Sequence, residues 1–191
     1  MIFYSKNAYL TREEMQVNAL YIWDVLRGYG WSMPAVAAML GNMESESTIN
    51  PGIYEGLNSL TETNGFGLVQ WTPNTKYKTW ADENGYAYGD INGQIMRIIY
   101  ELENGLQWIS TDSYPLSFVD FSKSTMTPEY LANAFLYNYE RPSSLNQPNR
   151  ATQARSWYHY LIENGNASGG LDITYRRMPK VLLFSGAIRR R

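Results

Sequence analysis

The carboxylate with the most informative surroundings is Glu46, which lies where a predicted apolar helix ends. Ser32 is a suitable N-cap for that helix, and the segment 35–46 is apolar on nearly all sides. Counting back from Glu46 in steps of three and four residues gives Met43 and Met39, which belong to the apolar stripe. Glu46 is therefore predicted to share a face with core residues, where a carboxyl group is harder to ionise than in water.

A carboxyl group that keeps its proton can act as a general acid, and the composition leaves few other groups for acid–base chemistry. The sequence has no cysteine and a single histidine, His159. This composition argues against a thiol nucleophile, a Ser-His-Asp triad and a His-based zinc centre. Protonation of a glycosidic oxygen near neutral pH needs such an acid, and it needs neither a metal nor a cofactor. The alternative at this point is structural, with Glu46 binding nearby backbone N–H groups.

Aromatic content and charge favour a carbohydrate ligand over nucleic acid. The 191 residues include 16 tyrosines, 6 tryptophans and 6 phenylalanines, and sugar rings stack on such faces. The formal net charge is −2, and basic residues concentrate in 171–191, so the remainder is more acidic and poorly suited to phosphate. No segment approaches the roughly 18 apolar residues of a membrane span. The N-terminal residues do not have the pattern of a signal peptide.

The distribution of periodic segments predicts an α+β fold that is mainly α. One domain is expected over residues 1–165, followed by a Gly-rich linker and a basic tail over residues 166–191. A capping box at residues 11–14 opens the first helix. Residues 52–72 are rich in Gly, Asn, Thr and Ser, and the alternation in 66–71 predicts a strand, so that this segment is expected to form a small β-hairpin lobe or a loop-rich lobe. Helices are predicted around residues 12–27, 35–46, 76–81, 90–103, 116–123, 128–139 and 150–162.

Two motifs carry a family resemblance. Residues 42–51 read NMESESTINP and residues 65–72 read GFGLVQWT, and both resemble the phage tail lysozyme family. Shorter matches occur at residues 97–99, 107–109 and 139–142, so that the resemblance covers about residues 8–165. More distantly, the pattern is similar to goose-type lysozymes and soluble lytic transglycosylases, in which a Glu-Ser pair ends a central helix and a Gly-rich strand carrying Gln follows.

The resemblance implies a lysozyme-like fold with a buried central helix, bacterial peptidoglycan as the substrate and Glu46 as the acid. It implies that Gln70 faces the same cleft, and that Tyr139 does so from a later helix end. Phe66 has the strand parity of Gln70 and is an equally good cleft candidate, whereas Trp71 has the opposite parity and is expected in the core. The implied setting is a phage tail tip, where the enzyme cleaves the bond between N-acetylmuramic acid and N-acetylglucosamine for local penetration of the host wall.

The second catalytic group and the role of the tail remain open from the sequence. Glu62 and, less well, Glu55 are candidates for a second carboxylate, and their distance from Glu46 would separate retention from inversion. If neither reaches the cleft, Glu46 acts alone, as in lytic transglycosylases. A non-catalytic module that binds glycan and plugs a tail tip is the other reading. The basic, apolar tail is predicted either to dock on another tail protein or an anionic surface, or to be a disordered end.

Overall fold

Helix α2 (Met33–Ser47) is enclosed by other helices, and every residue from 35 to 43 is buried. The prediction of a buried central helix is therefore confirmed. The computed structural model describes residues 2–165, so the predicted linker and basic tail lie outside the described residues. The other helices are α1 (Arg12–Gly28), α3 (Thr75–Asn84), α4 (Ile91–Glu103), α5 (Phe118–Lys123), α6 (Pro128–Phe135) and α7 (Asn149–Asn164). No helix within the described range is long and apolar enough to cross a bilayer.

Local signals at both ends explain where α2 begins and ends. The Ser32 hydroxyl accepts the N–H of Ala35, and proline occupies the first turn. At the other end Thr48 has φ 54°, and its N–H bonds back to the carbonyl oxygens of Glu44 and Met43. The left-handed residue stops the helix directly after Ser47. Glu46 is therefore held on the last turn, as the sequence predicts.

The predicted strand and β-hairpin do not form in the described residues, and the lobe is instead rich in loops and turns. Residues 52–72 contain one isolated antiparallel bridge, Tyr54 with Phe66, and residues 67–70 form a turn. The turn wraps around the buried side chain of Gln94, which accepts the N–H of Leu68 and donates to carbonyl oxygens of Pro51 and Tyr88. The apolar residues that suggested a pleated strand are instead buried on a turn organised by an amide distant in the sequence.

A close approach between α2 and α7 is made possible by Gly41. A Cβ atom at this position would lie 2.6 Å from the amide nitrogen of Ala154 and from the carbonyl oxygen of Arg150, both on α7. Backbone atoms cannot yield as a side-chain end can, so only glycine fits at this separation. The contact brings Arg150 against the last turns of α2, beside Asn42 and Glu46.

We predict that Gly41→Ala destabilises the fold. Alanine favours a helix interior by up to about 1 kcal/mol over glycine, but the new methyl group forces α7 away, and overpacking of this kind typically costs about 1–3 kcal/mol. Urea unfolding would show a net loss of stability. Ser156→Ala, at an exposed position of α7, is the control and should change stability by no more than about 0.5 kcal/mol. A gain in stability for Gly41→Ala would contradict the packing argument.

Candidate active site

A groove of about 480 Å³ lies beside the C-terminal end of α2. It is bordered on one side by the 53–56 and 69–72 segments of the lobe, and on the other by residues 139–142, which follow α6. A π-helical turn, Leu136–Glu140, follows α6, and its last two residues form the start of that second wall. The polar and aromatic side chains that matter most in its lining are Glu46, Glu55, Gln70, Trp71, Tyr139 and Glu140.

Three of the four residues predicted for the site meet at this groove, namely Glu46, Gln70 and Tyr139. The fourth, Phe66, is not among the lining residues. It is 2% exposed, and its ring packs 4.5 Å from that of Tyr54. The parity argument that paired Phe66 with Gln70 fails because residues 67–70 turn, and Gln70 itself has φ 48°. The expectation for Phe66 as a cleft residue is therefore corrected to a core position.

Glu46 is held by a buried cation. Its side chain is 21% exposed, and its Oε1 accepts a hydrogen bond from Arg150 Nη2 at 2.5 Å. The Arg150 side chain is 6% exposed and also donates to Asn42 Oδ1 and Gln147 Oε1. The sequence predicts apolar surroundings for this carboxyl group. The stripe below it is indeed apolar, but the group in direct contact is a guanidinium contributed by α7.

Of the two candidates for a second carboxylate, only Glu55 reaches the groove, and one of its oxygens is engaged by the backbone. Glu62 is exposed and is not among the lining residues. Glu55 lines the groove, but its Oε2 accepts the backbone N–H of Gly65 at 2.8 Å. That hydrogen bond connects the segment that contains Glu55 to the segment that contains Gly65, so Glu55 has a structural role in the lobe.

A different carboxyl group, that of Glu140, lines the same groove as Glu46. Its Oε1 is buried and makes no hydrogen bond with any described residue. Burial raises the pKa of Glu140 well above its ordinary range, the negative charge of Glu46 adds to this, and the positive charges of Arg150 and Arg141 oppose it. Sequence reasoning missed this residue. The matching segment 139–142 contained it, but nothing in the local pattern indicated that this side chain lines the groove with a buried Oε1.

The floor of the groove is fixed by a buried carboxylate on α4. Glu101 is 1% exposed. Its Oε1 accepts from Trp71 Nε1 at 3.0 Å and from Arg97 Nε at 2.9 Å, and its Oε2 accepts from the Tyr139 hydroxyl at 2.5 Å. Burial raises the pKa of Glu101, and these three donors partly offset the effect. One side chain thus positions two aromatic residues of the groove.

We predict that Glu101→Ala destabilises the protein strongly. The substitution leaves the guanidinium of Arg97, the indole N–H of Trp71 and the Tyr139 hydroxyl without their acceptor, and removal of one member of a buried ion pair typically costs about 3–5 kcal/mol. Chemical denaturation measures the loss. Glu103→Ala, at an exposed position on the same helix, serves as the control. Equal stability of the two variants would contradict the role given to Glu101.

The raised pKa of Glu140 also has a consequence for stability. The unfolded chain releases this proton near pH 4.3, whereas the folded chain retains it to higher pH, so folding loses stability as pH rises between these two values. Glutamine has no proton to lose. We therefore expect Glu140→Gln to gain stability relative to the wild type between pH 4 and pH 8, as measured by urea unfolding. Glu62→Gln, at an exposed position, should show no such gain. If the free energies of unfolding of the wild type and Glu140→Gln differed by the same amount at every pH in this range, the raised pKa of Glu140 would be contradicted.

Comparison with known proteins places this chain in a family. Residues 17–161 match the family model described as phage tail lysozyme. The chain is also 46% identical over 185 residues to morphogenesis protein 1 of Bacillus phage B103, an alignment that covers 97% of this chain and 50% of that protein. The chain thus spans about half the length of this curated relative. Both matches confirm the resemblance carried by the two sequence motifs, and the chain belongs to the phage tail lysozyme family.

Proposed function

We propose that this domain cleaves the glycan strand of bacterial peptidoglycan at the bond between N-acetylmuramic acid and N-acetylglucosamine, with Glu46 as the general acid. The observation that carries the proposal is the position of Glu46: a carboxyl group on the last turn of the buried helix, partly exposed, opening into a groove that Gln70 and Tyr139 also line. Family membership supports the substrate class.

The hydrogen bonds around the groove limit what each residue can do for a bound sugar. Gln70 Nε2 donates to the carbonyl oxygens of Ile53 and Gly67, so its carbonyl Oε1 is the atom suited to accept from a sugar hydroxyl. The hydroxyl of Tyr139 and the indole nitrogen of Trp71 are committed to Glu101. Tyr139 is 1% exposed and Trp71 is 3% exposed, so these side chains support the groove from beneath and offer little surface to a sugar.

The proposed reaction begins when Glu46 gives a proton to the bridging oxygen. The bond between the anomeric carbon and that oxygen breaks, and its electron pair stays with the oxygen of the leaving sugar. The carboxylate that remains on Glu46 is paired with Arg150, whose position does not need to change. Water then attacks the anomeric carbon and returns a proton, which completes hydrolysis.

A lytic transglycosylase reaction is the second candidate, and one observation favours it. Glu62 lies outside the groove lining, and Glu55, the remaining candidate, has one carboxylate oxygen bound to the Gly65 N–H, which weakens it as a nucleophile. In this alternative the 6-hydroxyl of the muramic acid residue attacks in place of water, and the product carries a 1,6-anhydro ring. Glu46 serves first as acid and then as base.

We also propose that the protein acts from a virion. The relative from Bacillus phage B103 is named a morphogenesis protein, and the family is described as a tail lysozyme. Both names fit a component of the tail tip that opens the host wall locally during infection. The basic residues of 171–191 would provide contacts with other tail proteins, and a lysozyme-like module that binds glycan without turnover is the alternative.

The proposal predicts that Glu46→Gln loses activity on purified peptidoglycan by at least about 10²-fold, which is the lower end of what positioned acid catalysis contributes. Glutamine keeps a carbonyl oxygen for Arg150, so that the buried guanidinium is not left without an acceptor. Glu44→Gln is the matched control. Glu44 lies on the same helix with 19% side-chain exposure, is paired with Arg12 and lies outside the groove lining. Its activity should stay within a few-fold of the wild type.

Mass spectrometry of the digest separates the alternatives. Reducing ends indicate hydrolysis, anhydro ends indicate transglycosylation, and wall binding without any fragment indicates the binding module. Equal activity of Glu46→Gln and the wild type would remove Glu46 from the mechanism.

A further inference from the structure

Aromatic side chains contribute to the groove lining, but most of them are already engaged by the protein. Trp71 and Tyr139 are buried, and their polar atoms are hydrogen-bonded beneath the groove. Tyr54 is half-buried. Its ring centroid lies 4.5 Å from that of Phe66 and 4.7 Å from Lys78 Nζ. These three lining residues therefore have little aromatic surface left for a ligand.

The remaining aromatic residue of the lining, Tyr9, is different because its side chain is free. Tyr9 is 66% exposed although it lines the groove. Within the described part of the chain, no residue hydrogen-bonds its hydroxyl and no ring or cation stacks on its own ring. Tyr9 is thus the aromatic residue of the lining whose ring faces are available to a bound molecule.

The backbone on both sides of Tyr9 is fixed to the segment that follows the proposed acid. The buried Asn50 donates from Nδ2 to the carbonyl oxygen of Ala8 at 2.7 Å. The hydroxyl oxygen of Thr48 accepts the N–H of Leu10 at 3.0 Å. Because this segment leaves the end of α2, it holds the acid and the backbone of Tyr9 in one local structure. A ring on a fixed backbone loses less conformational freedom when it binds a ligand.

A second set of hydrogen bonds ties the same stretch of chain to the lobe. We call residues 6–10 the N-terminal arm. The side chain of Asn7 accepts the N–H of Tyr54 at 3.1 Å and donates to the carbonyl oxygen of Leu57 at 3.0 Å. The N-terminal arm therefore joins the end of α2 to the lobe wall, and Tyr9 enters the groove where the two meet. The family match begins at residue 17, so the N-terminal arm lies outside the matched segment.

We propose that Tyr9 is a sugar-stacking residue, on whose exposed face one pyranose ring of the glycan strand packs. The identity of the ligand rests on the proposed function. A pyranose presents a face of C–H groups, and the face of a tyrosine ring carries partial negative charge that attracts such hydrogens. The contact also removes apolar surface of both partners from water. Tyr9 thereby adds affinity for the strand without taking part in the bond that breaks.

Steady-state kinetics on soluble, uncrosslinked peptidoglycan strands tests this role. A contact that is equally strong in the ground state and the transition state changes KM and leaves kcat unchanged. We expect Tyr9→Ala to raise KM about three- to tenfold, because one apolar contact with the sugar is lost. Tyr9→Phe keeps the aromatic face and should retain the wild-type KM. Tyr9→Leu is apolar but has no flat ring, and its KM should rise as in Tyr9→Ala.

Tyr4→Ala is the matched control. Tyr4 also precedes α1 and is exposed, but it lies outside the groove lining, so its removal should leave KM unchanged. Urea unfolding should give Tyr9→Ala the wild-type midpoint, since the side chain of Tyr9 makes none of the hydrogen bonds of the N-terminal arm.

Two kinetic results would overturn the stacking role, namely an unchanged KM in Tyr9→Ala or the same rise in KM in Tyr9→Phe. If Tyr9→Ala does not fold, the comparison of the other two variants decides. Equal KM values for Tyr9→Phe and Tyr9→Leu refute stacking, and a higher KM for Tyr9→Leu supports it.

Binding measured without turnover separates this inference from the proposed function. Calorimetric titration of Glu46→Gln with the same strands gives Kd, and the added substitution Tyr9→Ala should raise this Kd about three- to tenfold. An unchanged Kd together with inactivity of Glu46→Gln would overturn the role of Tyr9 and leave the proposed acid standing. Full activity of Glu46→Gln would overturn the proposed acid, whereas a raised KM in Tyr9→Ala would still support stacking.

Discussion

The ion pair between Arg150 and Glu46 is the interaction on which the site depends. A guanidinium that is 6% exposed has lost most of its hydration, and removing an ion from water costs several kcal/mol unless acceptors replace the water. Asn42, Gln147 and Glu46 supply those acceptors. The pair therefore fixes the carboxyl group on the last turn of α2 and ties α7 to it, while the face of Glu46 away from Arg150 opens into the groove.

Close backbone packing is the condition for that ion pair. Arg150 and Ala154 approach α2 at Gly41, where any side chain would meet backbone atoms of α7. A larger separation would lengthen the contact between Arg150 and Glu46 and weaken it, because charge-assisted hydrogen bonds depend steeply on distance. Gly41 and Glu46 therefore depend on each other. Gly41 sets the distance between α2 and α7, and the hydrogen bond between Arg150 and Glu46 needs that distance to be short.

The helices could be predicted from the sequence because their signals are local. The capping box of Thr11 and Glu14 forms with both of its hydrogen bonds, and the proline and serine before α2 and the break after it lie where the pattern predicts. The lobe could not be predicted, since its turn depends on Gln94, which comes from another helix. An alternation of apolar residues occurs both in a pleated strand and in a turn folded around a buried amide, so this pattern alone does not distinguish the two structures.

The contrast between local signals and contacts of residues far apart in the sequence also explains which site residues could be identified from the sequence. Glu46, Gln70 and Tyr139 stand in motifs, and the groove brings them together. The partner of Glu46 is contributed by α7, and a contact between residues 104 positions apart leaves no trace in local periodicity. Glu140 lay inside a matching motif, but burial of its carboxyl group is a property of the assembled helices.

The π-helical turn explains how a single segment reaches two separate carboxylates. Tyr139 and Glu140 are consecutive, so their side chains leave the turn in different directions: the hydroxyl of Tyr139 meets Glu101 beneath the groove, and Glu140 joins Glu46 in the groove lining. Arg97 and Arg150 are already paired with Glu101 and Glu46. Within the described part of the chain, Glu140 Oε1 is buried without a hydrogen-bond partner, and burial together with the nearby negative charges raises the pKa of this carboxyl group well above its ordinary range. The turn that fixes the floor of the groove thereby also adds a carboxyl group with a raised pKa to its lining.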